Sequence, residues 1–306
     1  MPAAAATTTS DRIHISACPV CGTRDFRPFV TVGPYSVVRC PSCRLAITNP
    51  QPSDRELGEI YGPDYVLVEN DPVGEAMVLR SKRATADHYL DLLAAAGVPS
   101  TGKLLEIGCG AGNFLRQAAA RGFDITGLEY SPYAAERARK TLEGRGRILH
   151  GEIGVLAAER DAYDVVVLCD VIEHVRHPAD FLRDLHRLLK PGGTLLVVTP
   201  SLDSWSARVL GSRWMEFKAE HLYYFSPSTI SRQLTGAGYE RIALHSGTKK
   251  LCLDYIAAHF KKYPVSVVTP LVSFLHALTP APLSNRLFSI VASGLVALAR
   301  KPGAPA

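Results

Sequence analysis

Lys103-Leu-Leu-Glu-Ile-Gly-Cys-Gly-Ala-Gly-Asn-Phe-Leu115 is the stretch that decides the fold. Leu104 to Ile107 is a short apolar run of the kind that forms a buried strand. Gly108, Cys109, Gly110, Ala111 and Gly112 make a glycine-rich turn, and a helix is predicted from about Asn113 to Arg121. A strand, a glycine turn and a helix in that order let the backbone approach a cofactor closely, with amide N–H groups exposed. Dinucleotide enzymes use a similar turn, so the neighbouring acids have to discriminate. Glu106 stands just before the glycines. A carboxylate there suits a cationic α-amino group and would repel a pyrophosphate.

The pattern repeats outward from this point. A second strand, Asp124 to Leu128, ends in Glu129, and an acid at that place accepts hydrogen bonds from ribose hydroxyls. Tyr130 could pack on an adenine ring, and Ser131-Pro132 reads as the N-cap and first position of the next helix. Arg147 to His150 is a third strand, followed by Gly151 and Glu152; Glu152 could meet an adenine amino group or be a solvated loop acid. The fourth strand, Tyr163 to Cys169, leads into Asp170-Val-Ile-Glu-His-Val175. After a helix over 179–189, Lys190-Pro-Gly-Gly193 turns into a fifth strand, Thr194 to Thr199. A helix over 228–237 is followed by a sixth strand, Arg241 to His245. The last strand is predicted at Leu295 to Ala299. The whole is an α/β, doubly wound (Rossmann-like) fold with a seven-stranded, mostly parallel sheet.

Two further modules flank this core. Cys18-Pro-Val-Cys21 and Cys40-Pro-Ser-Cys43 are separated by eighteen residues. Two such turns aim four thiolates at one point, a closed tetrahedral site that suits structural zinc. Phe26 to Val38, with Gly33-Pro34 at its middle, reads as a hairpin between them. This zinc ribbon is either a folding staple that helps wall a substrate cleft or a recognition module for a macromolecule. Between it and the core, Ser53 is expected to cap a helix starting at Asp54, and a second helix is expected from about Gly74 to Ala96, stopped by Gly97. Tyr65 is either a packing residue or part of the cofactor pocket. Near the other end, residues 250–292 are mostly apolar helix interrupted by prolines. They are expected to form an insertion before the last strand that caps the acceptor pocket, forms a homodimer interface or rests on a membrane surface. The expected organisation is a disordered tail over 1–13, the ribbon over 14–50, connecting helices over 51–97, the core over 98–249, the insertion over 250–292, and the last strand and tail over 293–306.

Composition narrows the function classes. The chain has 306 residues, 47% of them hydrophobic, and a formal net charge of +5. That charge is modest for the length, and there is no long Lys/Arg run, so a nucleic-acid partner is not expected. An uncharged Ala/Thr-rich start argues against a signal peptide, and an odd cysteine count with paired spacing at one end suits a reducing, cytoplasmic compartment. No apolar run is long enough to predict a transmembrane helix.

LLEIGCGAGNF, the strand-two acid Glu129, DVIEHV and LLKPGGTLLVVTP stand in an order and spacing that resemble the class I S-adenosylmethionine-dependent methyltransferases, in the group that includes ubiquinone-type O-methyltransferases. The resemblance covers about residues 75–248. It implies S-adenosylmethionine as cofactor, with Gly108, Gly110 and Gly112 cradling it and Glu129 holding its ribose. Glu106, Cys109, Asn113, Tyr130, Glu152 and Asp170 complete the expected cofactor set. The ribbon and Glu220-His221-Leu-Tyr-Tyr-Phe-Ser226 resemble a narrower set, bacterial methyltransferases of sugar and polysaccharide biosynthesis. That set includes deoxysugar C-methyltransferases with an HEHxxYF-like motif. Ala219 stands where the first His of that motif would be, a departure that weighs against C-methylation.

Methyl transfer from a sulfonium is an in-line displacement, so the protein must align the acceptor and take its proton. His174, just beyond strand four, and His221, in the segment after strand five, are the candidate bases, with Glu173 and Glu220 beside them. Trp205 and Trp214 are expected to pack this segment. Cys109, Cys169 and Cys252 read as small buried residues. The acceptor is expected to be a small molecule, a hydroxyl of a sugar or other metabolite. The alternatives are a zinc-ribbon RNA methyltransferase, against which the absence of an Asn/Asp-Pro-Pro-aromatic motif counts, and a non-catalytic sensor of the cofactor.

Overall fold

The computed structural model describes residues 11–60, 72–262 and 268–303. Most of the tail over 1–13, the turn holding Tyr65 and the last three residues lie outside the described residues. In chain order the strands are β1 (Arg27–Val32), β2 (Tyr35–Arg39), β3 (Ala46–Thr48), β4 (Lys103–Ile107), β5 (Asp124–Glu129), β6 (Arg147–His150), β7 (Tyr163–Cys169), β8 (Leu189–Pro200), β9 (Tyr223–Tyr224), β10 (Glu240–Leu251) and β11 (Phe288–Arg300). The helices are α1 (Asp54–Ile60), α2 (Pro72–Ala95), α3 (Asn113–Ala120), α4 (Pro132–Leu142), α5 (Pro178–Leu188), α6 (Trp205–Leu210), α7 (Pro227–Gly236), α8 (Leu253–Lys262), α9 (Val268–Leu278) and α10 (Ala281–Ser284).

Seven strands form one sheet in the order β10-β11-β8-β7-β4-β5-β6. All neighbours pair in parallel except β11, which is antiparallel to both β8 and β10. Alternation along the central strands sends successive side chains to opposite faces. Leu105, Val166, Leu195 and Val197 pack toward α5 and α7 through Leu182, Leu185, Ile230 and Leu234. Leu104, Val165, Val167 and Leu196 pack toward α2, α3 and α4 through Leu90, Leu93, Phe114, Leu115 and Ala138. Two buried faces explain why these strands read as continuous apolar runs rather than as alternating ones.

The local signals work as their chemistry requires. The Ser53 hydroxyl accepts from Glu56 N at 3.2 Å while Glu56 Oε2 accepts from Ser53 N at 2.8 Å, a reciprocal cap that starts α1. Ser131 caps α4 and is followed by Pro132. Gly97 ends the α2 region in a left-handed conformation.

Three features depart from expectation. β8 is continuous from Leu189, because its pairing with β7 absorbs Lys190 to Gly193 in a shift of register between Tyr163 and Val165. β10 runs past His245 to Leu251, and β11 begins at Phe288 rather than inside 293–299. β8 ends at Pro200 opposite Gly294, but the β10–β11 pair continues without it to Leu251 opposite Phe288. The register shifts there, between Gly247 and Thr248, where a Cβ on Gly247 would lie 2.5 Å from the Gly294 backbone. The close backbone contact lets the two strands leave the sheet together as an arm. α8, α9 and α10 are carried at its end.

A second sheet has the order β1-β2-β3-β9. β1 to β3 come from the ribbon and β9 from beyond strand five of the core. β9 was not expected from sequence. It pairs Ile47 with Tyr223 and Ala46 with Tyr224, so the ribbon is built into the core. Cys18, Cys40, Cys43, Leu45 and Ile47 share one buried cluster with Leu222, Tyr223, Phe225 and Ile172.

Candidate active site

The carboxyl ends of β4, β5, β6 and β7 lie side by side, which gathers Gly108, Glu129, Glu152 and Asp170 along one edge. Gly108 and Cys109 donate to the Leu128 carbonyl at 2.8 and 3.2 Å, holding the glycine turn against the end of β5. Gly108 has φ 68°, and a Cβ there would come 2.7 Å from Val171 in the loop after β7. Gly110 has φ 52°, and a Cβ there would meet nothing within 4 Å, so this side of the turn faces open space. Gly112 is the left-handed N-cap of α3. Glu129 Oε2 accepts from Gly110 N at 2.8 Å and Oε1 accepts from Ser131 N at 2.9 Å. One carboxylate therefore joins the glycine turn to the start of α4. Tyr130 beside it is 65% exposed, which leaves its ring available to a flat ligand.

The other expected cofactor residues divide. Asp170 is exposed and left-handed at φ 54°, with Oδ2 3.8 Å from Lys249 Nζ. Glu152 is exposed at the start of a short 3-10 turn, without a side-chain cap bond. Asn113 is partly buried, and its Oδ1 has no partner. Cys109 is buried, and burial raises its thiol, so only its backbone reaches the ligand side. Glu106 is 4% exposed. Burial, reinforced by the Glu129 charge, pushes its carboxyl well above the usual range, and its Oε2 has no partner.

On the acceptor side, a single 3-10 turn, Ile172–His174, leaves the end of β7. His174 and His221 meet edge to face with ring centroids 4.8 Å apart. His174 Nδ1 lies 3.0 Å from the Glu220 carbonyl oxygen. A carbonyl only accepts, so Nδ1 carries the proton and Nε2 is the basic nitrogen. Glu220 thus acts here through its backbone, not through the carboxylate foreseen from sequence. Burial lowers His174 to about 4. Burial and then the neighbouring His174 lower His221 to about 3. Both rings are neutral near pH 7.

Glu173 lies beneath them, buried, with Oε2 accepting from the Thr199 hydroxyl at 3.0 Å and Oε1 without a partner. Burial, with help from Asp170, pushes Glu173 well above the carboxylate range. Ligand atoms of Glu173, His174 and His221 lie within 4.8 Å of one another, close enough to hold one divalent cation.

Charged groups that sequence reasoning missed stand beside the two histidines. Glu216 accepts from Ser293 Oγ at 2.8 Å and pairs with Lys218 at 3.2 Å. Against its burial, Lys218 and Lys249 hold it at about 2. Lys249 sits at the root of the arm, where Asp170 raises it. Trp214 is buried with its indole N–H on Ser206, as expected of a packing residue. Trp205 is 58% exposed, with its indole N–H donating to the Val291 carbonyl at 2.9 Å, so it does not pack the segment as expected.

The ribbon reaches this site directly. Thr48 Oγ1 donates to the His221 carbonyl at 2.7 Å, and Thr48 N donates to Leu222 O at 3.0 Å. Leu222 N in turn donates to Glu173 O at 2.8 Å. His221 is thereby clamped between the ribbon and the end of β7. In the ribbon itself the sulfurs of Cys18 and Cys43, and of Cys21 and Cys40, are 3.4 Å apart, and all four lie within 4.8 Å of one another.

A family model described as Methyltransferase domain matches residues 79–244, more than half of the chain. The chain belongs to this methyltransferase family. The matched residues include the glycine turn, Glu129, Asp170, His174 and His221. The ribbon and the arm's helices lie outside them.

Curated relatives carry the name ubiquinone biosynthesis O-methyltransferase. That of Nitrosomonas europaea is 28% identical over 179 residues, 55% of this chain and 75% of that protein. That of Caulobacter vibrioides is 38% identical over 114 residues, 34% of this chain and 44% of that protein. The mitochondrial one of Schizosaccharomyces pombe is 37% identical over 105 residues, 32% of this chain and 38% of that protein. The chain thus spans less than half the length of the last two.

Among solved structures, a SAM-dependent methyltransferase from Thermotoga maritima is similar with a TM-score of 0.51 at 19% identity, covering 80% of this chain and 98% of that one. The cyclase SpnF is similar with a TM-score of 0.50 at 18% identity, covering 83% and 98%. These two show that the fold is shared. A cyclase among them means that the reaction has to be argued from the site.

Proposed function

We propose that the protein transfers a methyl group from S-adenosylmethionine to a hydroxyl of a small-molecule acceptor, a sugar or another hydroxylated metabolite. The observation that carries this reading is the meeting, on one sheet edge, of an open glycine turn backed by Glu129 with a neutral His174–His221 pair. The names of the three curated relatives described above, ubiquinone biosynthesis O-methyltransferases, support oxygen as the methylated atom.

The pocket fits the cofactor's chemistry. Glu129 can exchange its bonds to Gly110 and Ser131 for ribose hydroxyls, and the exposed Tyr130 ring can cover an adenine. The unpartnered Oε2 of Glu106 and its raised carboxyl are what a nearby ligand cation would relieve. When bound, S-adenosylmethionine supplies a methyl group already activated by a sulfonium charge. The protein then has to align the acceptor oxygen and remove its proton. His174 Nε2 is the base in this reading, since the Glu220 carbonyl fixes its tautomer. A weak base suffices, because an alcohol oxygen becomes strongly acidic as it gains the methyl. His221 walls the same site and orients the acceptor.

The four ribbon cysteines fit zinc. Tetrahedral Zn–S bonds of about 2.3 Å imply sulfurs about 3.8 Å apart, and the observed 3.4 Å pairs need only a small relaxation. Four thiolates leave no open coordination position, so the metal would hold the ribbon, and through β9 the position of His221, without touching the acceptor. An odd cysteine count with paired spacing at one end suits a reducing, cytoplasmic setting.

The test is transfer of labelled methyl from S-adenosylmethionine into an extract separated into polar, lipid and RNA fractions. Label in polar or lipid-linked sugar, lost in His174→Gln, supports the reading. Label in RNA alone overturns it.

A further inference from the structure

α9 turns its leucines and its one phenylalanine away from its own protein. Leu271, Phe274, Leu275 and Leu278, spaced at helical i, i+3, i+4 and i+7, form one apolar stripe. They are 56%, 62%, 47% and 66% exposed. The side turned toward α8 is the less exposed one, and beside Val268 and Val272 it carries the helix's polar contacts. His276 Nε2 lies 2.9 Å from Asp254 Oδ1, and the Thr269 hydroxyl donates to Phe260 O at 3.3 Å. An apolar stripe facing water has to be covered by something.

The charges around the stripe decide what covers it. From Lys250 to Ser289 the sequence carries four cations, Lys250, Lys261, Lys262 and Arg286, against one carboxylate, Asp254. Lys261 and Lys262 end α8 and Arg286 follows α10; all three are exposed. A two-fold dimer through this face would set the same cations against one another. An anionic lipid surface would instead pair with them while its acyl region took up the leucines and Phe274.

We propose that the α8–α10 arm is an interfacial anchor that binds anionic bilayers, with α9 lying in the plane of the membrane. The arm is firmly seated for such a load. The hydroxyl of Ser81 on α2 bonds the Lys250 carbonyl, the hydroxyl of Thr85 accepts from Lys250 N at 2.9 Å, and the guanidinium of Arg80 bonds the Asn285 carbonyl. At its root Lys249 pairs with Asp170 at 3.8 Å, which ties the arm to the carboxyl edge of the sheet. The membrane contact itself needs no turnover and can be tested without knowing the acceptor.

The full chain is sedimented with vesicles of phosphatidylcholine, with and without phosphatidylglycerol. It should pellet with the anionic vesicles and be released by salt. Phe274→Asn with Leu278→Asn should lower the partition coefficient by more than about tenfold. Lys261→Gln with Lys262→Gln should lower it by about 25-fold, roughly fivefold for each charge. All four positions are exposed, so unchanged S-adenosylmethionine binding certifies that the variants are folded. No pelleting with anionic vesicles overturns the proposal. So does a dimer in solution that the Phe274/Leu278 variant dissociates, or equal binding to neutral and anionic vesicles.

Discussion

Replacing Thr48 by Val tests whether the ribbon sets the geometry of the active site. The two side chains have nearly the same volume, and Thr48 is 1% exposed, so the substitution leaves packing in place and removes one hydroxyl. That hydroxyl donates to the His221 carbonyl at 2.7 Å. Leaving a buried acceptor unpaired costs about 1–3 kcal/mol. For a domain of this size each kcal/mol shifts the thermal midpoint by about 2–4 °C, so Tm should fall by about 2–12 °C. Pairing of Ile47 with Tyr223 survives, so β9 stays in register while the residue before Leu222 loosens. Turnover should fall by about fivefold or more, since small misplacements of a site residue are costly. Affinity for S-adenosylmethionine should not change, because Glu129 and the glycine turn share no bond with Thr48. Calorimetry, steady-state methyl transfer and titration of the cofactor read the three quantities separately. A lower Tm with undiminished turnover would refute the idea that the ribbon positions His221, and leave it a staple.

Other perturbations follow the same logic. In the proposed reading Glu129→Ala removes the carboxylate that would take two ribose hydroxyls, and it should weaken S-adenosylmethionine binding by about 10²–10⁴-fold in a calorimetric titration. His174→Gln keeps a donor for the Glu220 carbonyl but no base, and should lower kcat by about 10²–10⁴-fold with the cofactor still bound. His174 and His221 titrate at about 4 and about 3 in the fold, against about 6.5 in an unfolded chain. The unfolded chain therefore takes up their protons first, and stability should be full above about pH 6.5 and decline as pH falls toward 4 and 3, as read by urea unfolding across pH. Cys21→Ser should abolish zinc retained after dialysis, measured by metal analysis, and lower the Tm of the whole chain, because Cys18, Cys40 and Cys43 belong to the main core cluster.

The parts of the fold that sequence reveals are those whose physics is local. A buried strand, a turn that needs positive φ, and a capped helix each announce themselves within a dozen residues, as 103–115 and Ser131-Pro132 do. The parts that stay hidden depend on partners far along the chain. β9 is two residues long, too short for any period, and exists because β3 lies beside it. The lengths of β10 and β11 depend on how Gly247 and Gly294 fit together, which neither strand's composition states. At the site, His174 and His221 carry their chemistry in their residue type. Glu216 and Lys249 look like ordinary surface charges until the fold sets them around the pocket. Glu220 shows the converse, since an acid beside a histidine suggests a carboxylate and the structure uses its carbonyl.

The strand that completes the N-terminal sheet has a consequence for how the chain is made. Thr48 and the His221 carbonyl it holds are 173 residues apart. At roughly 5–20 residues per second of synthesis, the ribbon leaves the ribosome about 10–35 s before its fourth strand exists. During that interval the edge of β3 has no neighbour from the core, and the cysteine cluster is the only covalent or coordinate clamp the ribbon can use. Metal capture by the nascent ribbon would then come first, and the last step of assembly would be the closing of the acceptor wall onto a module already folded.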